Sequence, residues 1–204
     1  MLDLSRLKKL KLAKKPTGQI IVAETIMKAD FNFPRKTDII LEGVGNIPRE
    51  RPVFFAMNHT DRYNYWPFQY QMYRNGGLRF TATWVKGKYY EGGLMARFFD
   101  ATNNIPLPSR GFVITTEYRK AMSRPPDDAA YRMLRDIVDG KVLPDVATVP
   151  KETLLFMNRF VGAKTDTQGF RDVFDALFDA MMREVVRLNR AALFTHDLNV
   201  LVFP

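Results

Sequence analysis

The sequence contains no cysteine, which excludes disulfides, thiolate metal sites and cysteine nucleophiles and suits a cytosolic setting. Its serines are Ser5, Ser109 and Ser123, and no G-x-S-x-G elbow surrounds any of them, so a serine hydrolase of that type has no nucleophile here. No run of about 18 apolar residues occurs, so no membrane-spanning helix is expected. No basic start leads into an uninterrupted apolar stretch, so no signal peptide is read. Histidine is scarce, with only His59 and His196, and neither belongs to an H-E-x-x-H spacing or a comparable metal pattern. Acidic residues are outnumbered, 22 against 31 basic, giving a net charge of +9.

A chain of 204 residues fits one domain, or one domain with an appendage. More than half of the positive excess lies in residues 1–15, where Arg6, Lys8, Lys9, Lys11, Lys14 and Lys15 face the single acid Asp3. Leu4, Leu7 and Leu10 recur at helical spacing among them. An apolar stripe with cationic flanks has the form of a membrane-surface helix; a solvated terminus, or a helix packed on its own domain, are the competing readings. No nucleic-acid-reading motif accompanies the charge, so no nucleic-acid partner is expected.

Along the chain, residues 38–42 read as a strand and Gly43 to Pro48 as a turn. Val53 to Met57 is a continuous apolar run, the pattern of a strand covered on both faces. Pro67 fits only the first turn of a helix, which sets a helix start near Asn64, with Trp66, Tyr70 and Tyr73 on one face and Asn75-Gly76-Gly77 at its end. A strand over 78–85, a short helix over 94–99 and an extended piece over 105–107 follow. Pro125-Pro126-Asp127 opens a helix with Ala130, Met133, Leu134, Ile137 and Val138 as its buried stripe and Gly140 as its stop. A longer helix over about 169–189 buries Phe170, Val173, Phe174, Leu177, Phe178, Met181 and Val185, and a last buried strand covers 198–203. His196 reads as a loop or strand-edge residue. The fold class is α/β: a mixed, largely parallel sheet flanked by helices, with a helical insertion over about 117–190. The organisation read is a basic segment, 1–15, followed by an α/β domain, 16–204.

His59 lies between a strand's carboxyl end and a helix start, the edge where open α/β sheets bind ligands. With no serine or metal pattern beside it, an imidazole there suits activation of an external hydroxyl; a structural loop histidine is the plainer alternative. The stretch Asn58-His59-Thr60-Asp61-Arg62-Tyr63-Asn64 after "VFFAM", together with "VKGKYYEGGLMARFFDATNNIPLPSRG", resembles the first two blocks of the glycerolipid acyltransferases of the lysophosphatidate acyltransferase type. The closing "LNVLVFP" is similar to the strand that leads into that family's third block. The resemblance implies acyl transfer from acyl-CoA or acyl-carrier protein to a lysophospholipid hydroxyl, without a further cofactor. It implies His59 as the base, Arg110 as the phosphate holder with Lys86 assisting, and Asn58 in the substrate-binding block. It further implies a peripheral location on the cytoplasmic face of a membrane, with the basic segment holding the site against the bilayer. A non-catalytic lipid-binding protein on the same scaffold is the alternative.

The sequence departs from the family pattern in three ways. The residue five positions after the histidine is Asn64 where the family has an acid; an amide cannot stabilise an imidazolium as a carboxylate does, so either Asp61 or Asn64 would have to orient the ring. The segment after Arg110 is long, hence the helical insertion. The sequence ends at Pro204 where Glu-Gly would follow, so a truncated domain with an incomplete sheet, aggregating or inactive by itself, is expected.

Overall fold

A computed structural model describes residues 2–58 and 65–203. The described elements in chain order are α1 (Leu4–Lys9), α2 (Thr17–Val22), α3 (Lys28–Asn32), β1 (Phe54–Ala56), α4 (Trp66–Arg74), β2 (Thr81–Lys86), α5 (Gly93–Ala101), β3 (Asn104–Leu107), α6 (Arg110–Met122), α7 (Asp128–Val138), α8 (Lys151–Val161), α9 (Thr167–Arg190) and β4 (Asn199–Val202). A π-helical turn, Ala23–Met27, joins α2 to α3, and another, Ala191–Thr195, follows α9. The chain divides into two units. The first comprises Met1–Lys9, Lys86–Glu91 and Pro108–Glu184; the second comprises Leu10–Val85, Gly92–Leu107 and Val185–Pro204.

The second unit carries a four-stranded, all-parallel open sheet in the order β1-β4-β2-β3. The α/β class read from the sequence holds, with every described strand parallel. β4 occupies the interior, pairing Phe54 with Val200 on one side and Ala82 with Val200 on the other. Its Val200 and Leu201 are fully buried, as a strand covered on both faces requires. β1 departs from that expectation. It is an edge strand with Phe54 52% exposed, so the apolar run 53–57 is covered less than its composition suggested. The strand expected over 38–42 does not form. Residues 37–41 have no regular structure and Ile40 is 82% exposed. The Ile39 carbonyl accepts from Gln71 Nε2 at 2.5 Å, a side-chain partner in place of a neighbouring strand.

α4 begins one residue before Pro67, near the start expected from that proline, and Trp66, Tyr70 and Tyr73 share one face packed with Ala23, Met27 and Phe31. Gln69 on the same helix donates from Nε2 to Thr81 Oγ1 and Thr83 Oγ1, both at 3.1 Å. These bonds satisfy two buried hydroxyls of β2 and tie α4 to the sheet.

The first unit is built on α6, α7, α8 and the greater part of α9. Tyr118, Phe156, Phe160, Phe170 and Phe174 form a continuous aromatic core, with ring centroids between 4.7 Å and 6.3 Å apart. Such pairs add about 0.5–1.5 kcal/mol each beyond area burial. α7 starts at its expected cap, where Asp127 accepts from the Ala130 N–H at 2.8 Å, and Gly140 ends it at φ +70°. The insertion's helices begin at Arg110, earlier than residue 117. On α9, Phe170, Phe174, Met181 and Val185 are buried as read, Leu177 and Phe178 are half-buried, and Val173 is exposed.

Four of the five leucines in residues 1–15 are buried, and Leu4 is half-buried. Leu2 and Leu7 in the first unit and Leu10 and Leu12 in the second are all buried. Lys9, Lys11, Lys14 and Lys15 remain exposed. Of the three readings the sequence left open for this segment, the stripe of apolar side chains is therefore spent on packing within the chain.

Candidate functional site

In a parallel sheet all carboxyl ends fall on one edge, where ligands of open α/β sheets bind. β1 is pinned in register at both ends. Val53 N–H donates to Asn199 Oδ1 at 3.0 Å, Val200 N–H to Val53 O at 2.9 Å, and Met57 N–H to Val202 O at 3.0 Å. The ladder thus runs to the residue before Asn58, which is exposed just past the carboxyl end of β1. Tyr65, the next described residue, rests against Phe203 with ring centroids 5.1 Å apart, and Phe203 follows β4. Both described residues that flank the histidine block therefore lie at the carboxyl edge. His59, Asp61 and Asn64 themselves are outside the described residues.

Lys86 is the exposed last residue of β2 and belongs to the first unit. Arg110 opens α6, where Ser109 Oγ caps the helix by accepting from Phe112 N–H at 3.2 Å. Its Nη1 donates to Asp175 Oδ1 at 2.6 Å and to Val138 O at 2.8 Å. The guanidinium also lies over the Phe178 and Phe174 rings, at 5.1 Å and 5.9 Å. Arg171 Nε approaches the other carboxylate oxygen of Asp175 at 3.7 Å. Arg110 is thus a brace joining α6, the end of α7 and α9. Its charge is already answered inside the first unit.

Sequence reasoning identified Arg110 but not Asp175, one of several acids on a helix read only for its apolar stripe. It also missed Asn103. This residue has φ +56°, a conformation asparagine tolerates better than most. Its side chain clasps the backbone of Ala13, accepting from the N–H at 2.9 Å and donating to the carbonyl at 2.8 Å. The Asn-Asn pair had the composition of a loop and gave no sign of a partner 90 residues away. His196 lies just after the π-helical turn, half-buried and next to Asp197, which pairs with Arg79 at 2.6 Å. No cluster of three or more potential metal ligands occurs among the described residues.

No protein-family model, no curated protein and no solved structure matches this chain. The likeness to glycerolipid acyltransferases therefore rests on the short sequence blocks.

Proposed function

We propose that the chain is an O-acyltransferase that moves a fatty acyl group from acyl-CoA or acyl-carrier protein to the hydroxyl of a lysophospholipid such as 1-acylglycerol-3-phosphate, at the cytoplasmic face of a membrane. His59 takes the hydroxyl proton as the oxygen attacks the thioester carbonyl. The C–S bond breaks, and the departing thiolate receives that proton from the imidazolium. Asp61 or Asn64 orients the ring, and Asn58 contributes to substrate binding. Of the two cations that the resemblance assigns to the acceptor phosphate, Lys86 is exposed, whereas Arg110 already holds Asp175. We give the phosphate to Lys86 first, and to Arg110 only where phosphate displaces Asp175. The observation that carries the reading is the delivery of Asn58, the residue before His59, to the carboxyl edge of an open parallel sheet.

The test is transfer of a labelled acyl group from a thioester to lysophosphatidate. His59→Ala should lower the rate by about 10²–10⁴-fold, the usual share of a general base. Asp61→Asn should lose activity if Asp61 orients the ring, and Asn64→Asp should gain it if the acid is missing. Unchanged transfer by His59→Ala would reject the base. A second reading, a non-catalytic lipid-binding protein on the same scaffold, is favoured by the engagement of Arg110 with Asp175 and by the amide at Asn64. It predicts lipid binding with no turnover in the wild type.

A further inference from the structure

α5 presents three large apolar side chains to solvent within five residues. Leu94 is 83% exposed, Met95 49% and Phe98 39%. Leu94 and Phe98 are one turn apart, and Met95 flanks them, so the three share one side of the helix. Ala96, on the opposite side, is 2% exposed and packs inward. α2 lies against the far end of α5, where a Cβ on Gly18 would run into the Ala101 carbonyl. Ile21, one turn further along α2, is also exposed, at 57%.

Exposed cations lie on α5 and on the segment fastened just past its end. Arg97 is exposed on α5 itself. Lys11, Lys14 and Lys15 are exposed on the segment whose Ala13 backbone is clasped by Asn103, two residues past the end of α5. Across residues 10–21 and 92–101 the only acid is Asp100, which is half-buried. Exposed Leu, Met and Phe with Lys and Arg around them make up the composition of an interfacial helix on an anionic membrane. Protein–protein contact cores, by contrast, are depleted in lysine.

We propose that the α5 face formed by Leu94, Met95 and Phe98, together with Arg97 and with Lys11, Lys14 and Lys15 of the segment fastened just past the end of α5, is a docking surface for an anionic phospholipid bilayer. The apolar side chains enter the acyl-chain boundary while the lysines and Arg97 meet the headgroup phosphates. The membrane contact thus moves from the N-terminal leucines, of which Leu2, Leu7, Leu10 and Leu12 are buried, to α5, while the lysines of that segment keep an electrostatic part. This inference bears on the membrane location proposed above and stands apart from the acyl-transfer chemistry.

The experiment is co-sedimentation of the whole chain with vesicles of phosphatidylcholine containing about a third phosphatidylglycerol, as an anionic surface of ordinary strength. The wild type should bind, and binding should weaken with added salt and on pure phosphatidylcholine. Leu94→Glu/Phe98→Glu should weaken binding about tenfold or more, and Lys11→Glu/Lys14→Glu/Lys15→Glu should do the same on the anionic vesicles. A third variant, Leu94→Trp, reads insertion without adding charge, and its emission should shift to the blue on adding anionic vesicles. Absence of wild-type binding, or equal binding by Leu94→Glu/Phe98→Glu, would overturn the proposal. So would a blue shift of Leu94→Trp that follows protein concentration and ignores vesicles, since that would assign the patch to a second copy of the chain. Vesicle binding without acyl transfer would leave this inference standing and count against the enzymatic reading. Acyl transfer to a detergent-dispersed acceptor without vesicle binding would do the reverse.

Discussion

Asp3 shows how closely the N-terminal segment is bound into its own unit. Its Oδ1 accepts from the Arg6 N–H at 2.9 Å, and its Oδ2 stands 3.3 Å from Lys120 Nζ, which also holds Glu117 at 2.8 Å. Partial burial opposes the charge on Asp3, but the Arg6 N–H and the Lys120 ammonium outweigh it, so the carboxyl titrates below the ordinary aspartate range. A carboxyl depressed on folding contributes stability above its unfolded pKa and loses that contribution as pH falls through the folded one. Asp3→Asn should therefore be less stable than the wild type near neutral pH. The gap should close as the pH is brought below about 4, the unfolded aspartate value. Urea denaturation of both proteins across that range measures it.

At the scale of elements, the contact of α6 with α7 depends on a missing side chain. A Cβ on Gly111 would collide with Tyr131 Oη and stand 3.0 Å from Arg135 Nη1, while the next ring atom, Tyr131 Cζ, would be 3.3 Å away. Gly111→Ala should cost about 1–3 kcal/mol, the usual range for overpacking. Adding Tyr131→Phe removes the colliding oxygen and should restore most of that loss, which chemical denaturation of the single and double variants will show. α4, α7 and α9 were legible in the sequence because helical apolar spacing coincided with proline, aspartate or glycine punctuation. The start of α6 was not, because Val113-Ile114-Thr115-Thr116 is a β-branched run that disfavours helix and is held helical by its surroundings. Residues 38–42 failed for the opposite reason: a strand needs a partner, and Asp-Ile-Ile-Leu-Glu does not reveal that none lies beside it among the described residues.

For the whole molecule, the surprise lies in residues 2–15. Sequence alone left them open as a membrane-surface appendage, because an amphipathic stripe does not say whether lipid or protein will cover it. Four buried leucines, Leu2, Leu7, Leu10 and Leu12, are worth roughly 1.5–3 kcal/mol each. Together they rival the 5–15 kcal/mol by which a typical domain is stable. Deleting residues 2–15 should therefore abolish the cooperative thermal transition or lower it steeply, as read by circular dichroism; a melt close to that of the full chain would refute this. The proposed chemistry rests on residue types in order, Asn58-His59, Lys86 and Arg110. What Arg110 holds is a tertiary fact, fixed by Asp175 on a helix 65 residues away.

The sheet also sets a schedule for synthesis. β1 has β4 as its hydrogen-bonded neighbour, and β4 stands between β1 and β2, so the pairing of Phe54 with Val200 waits until the ribosome has passed residue 202. At translation speeds of about 5–20 residues per second, the first strand stays unpaired for on the order of 10 s. During that interval "VFFAM" is an apolar stretch without its partner, and a nascent chain in that state is a natural client for a holding chaperone.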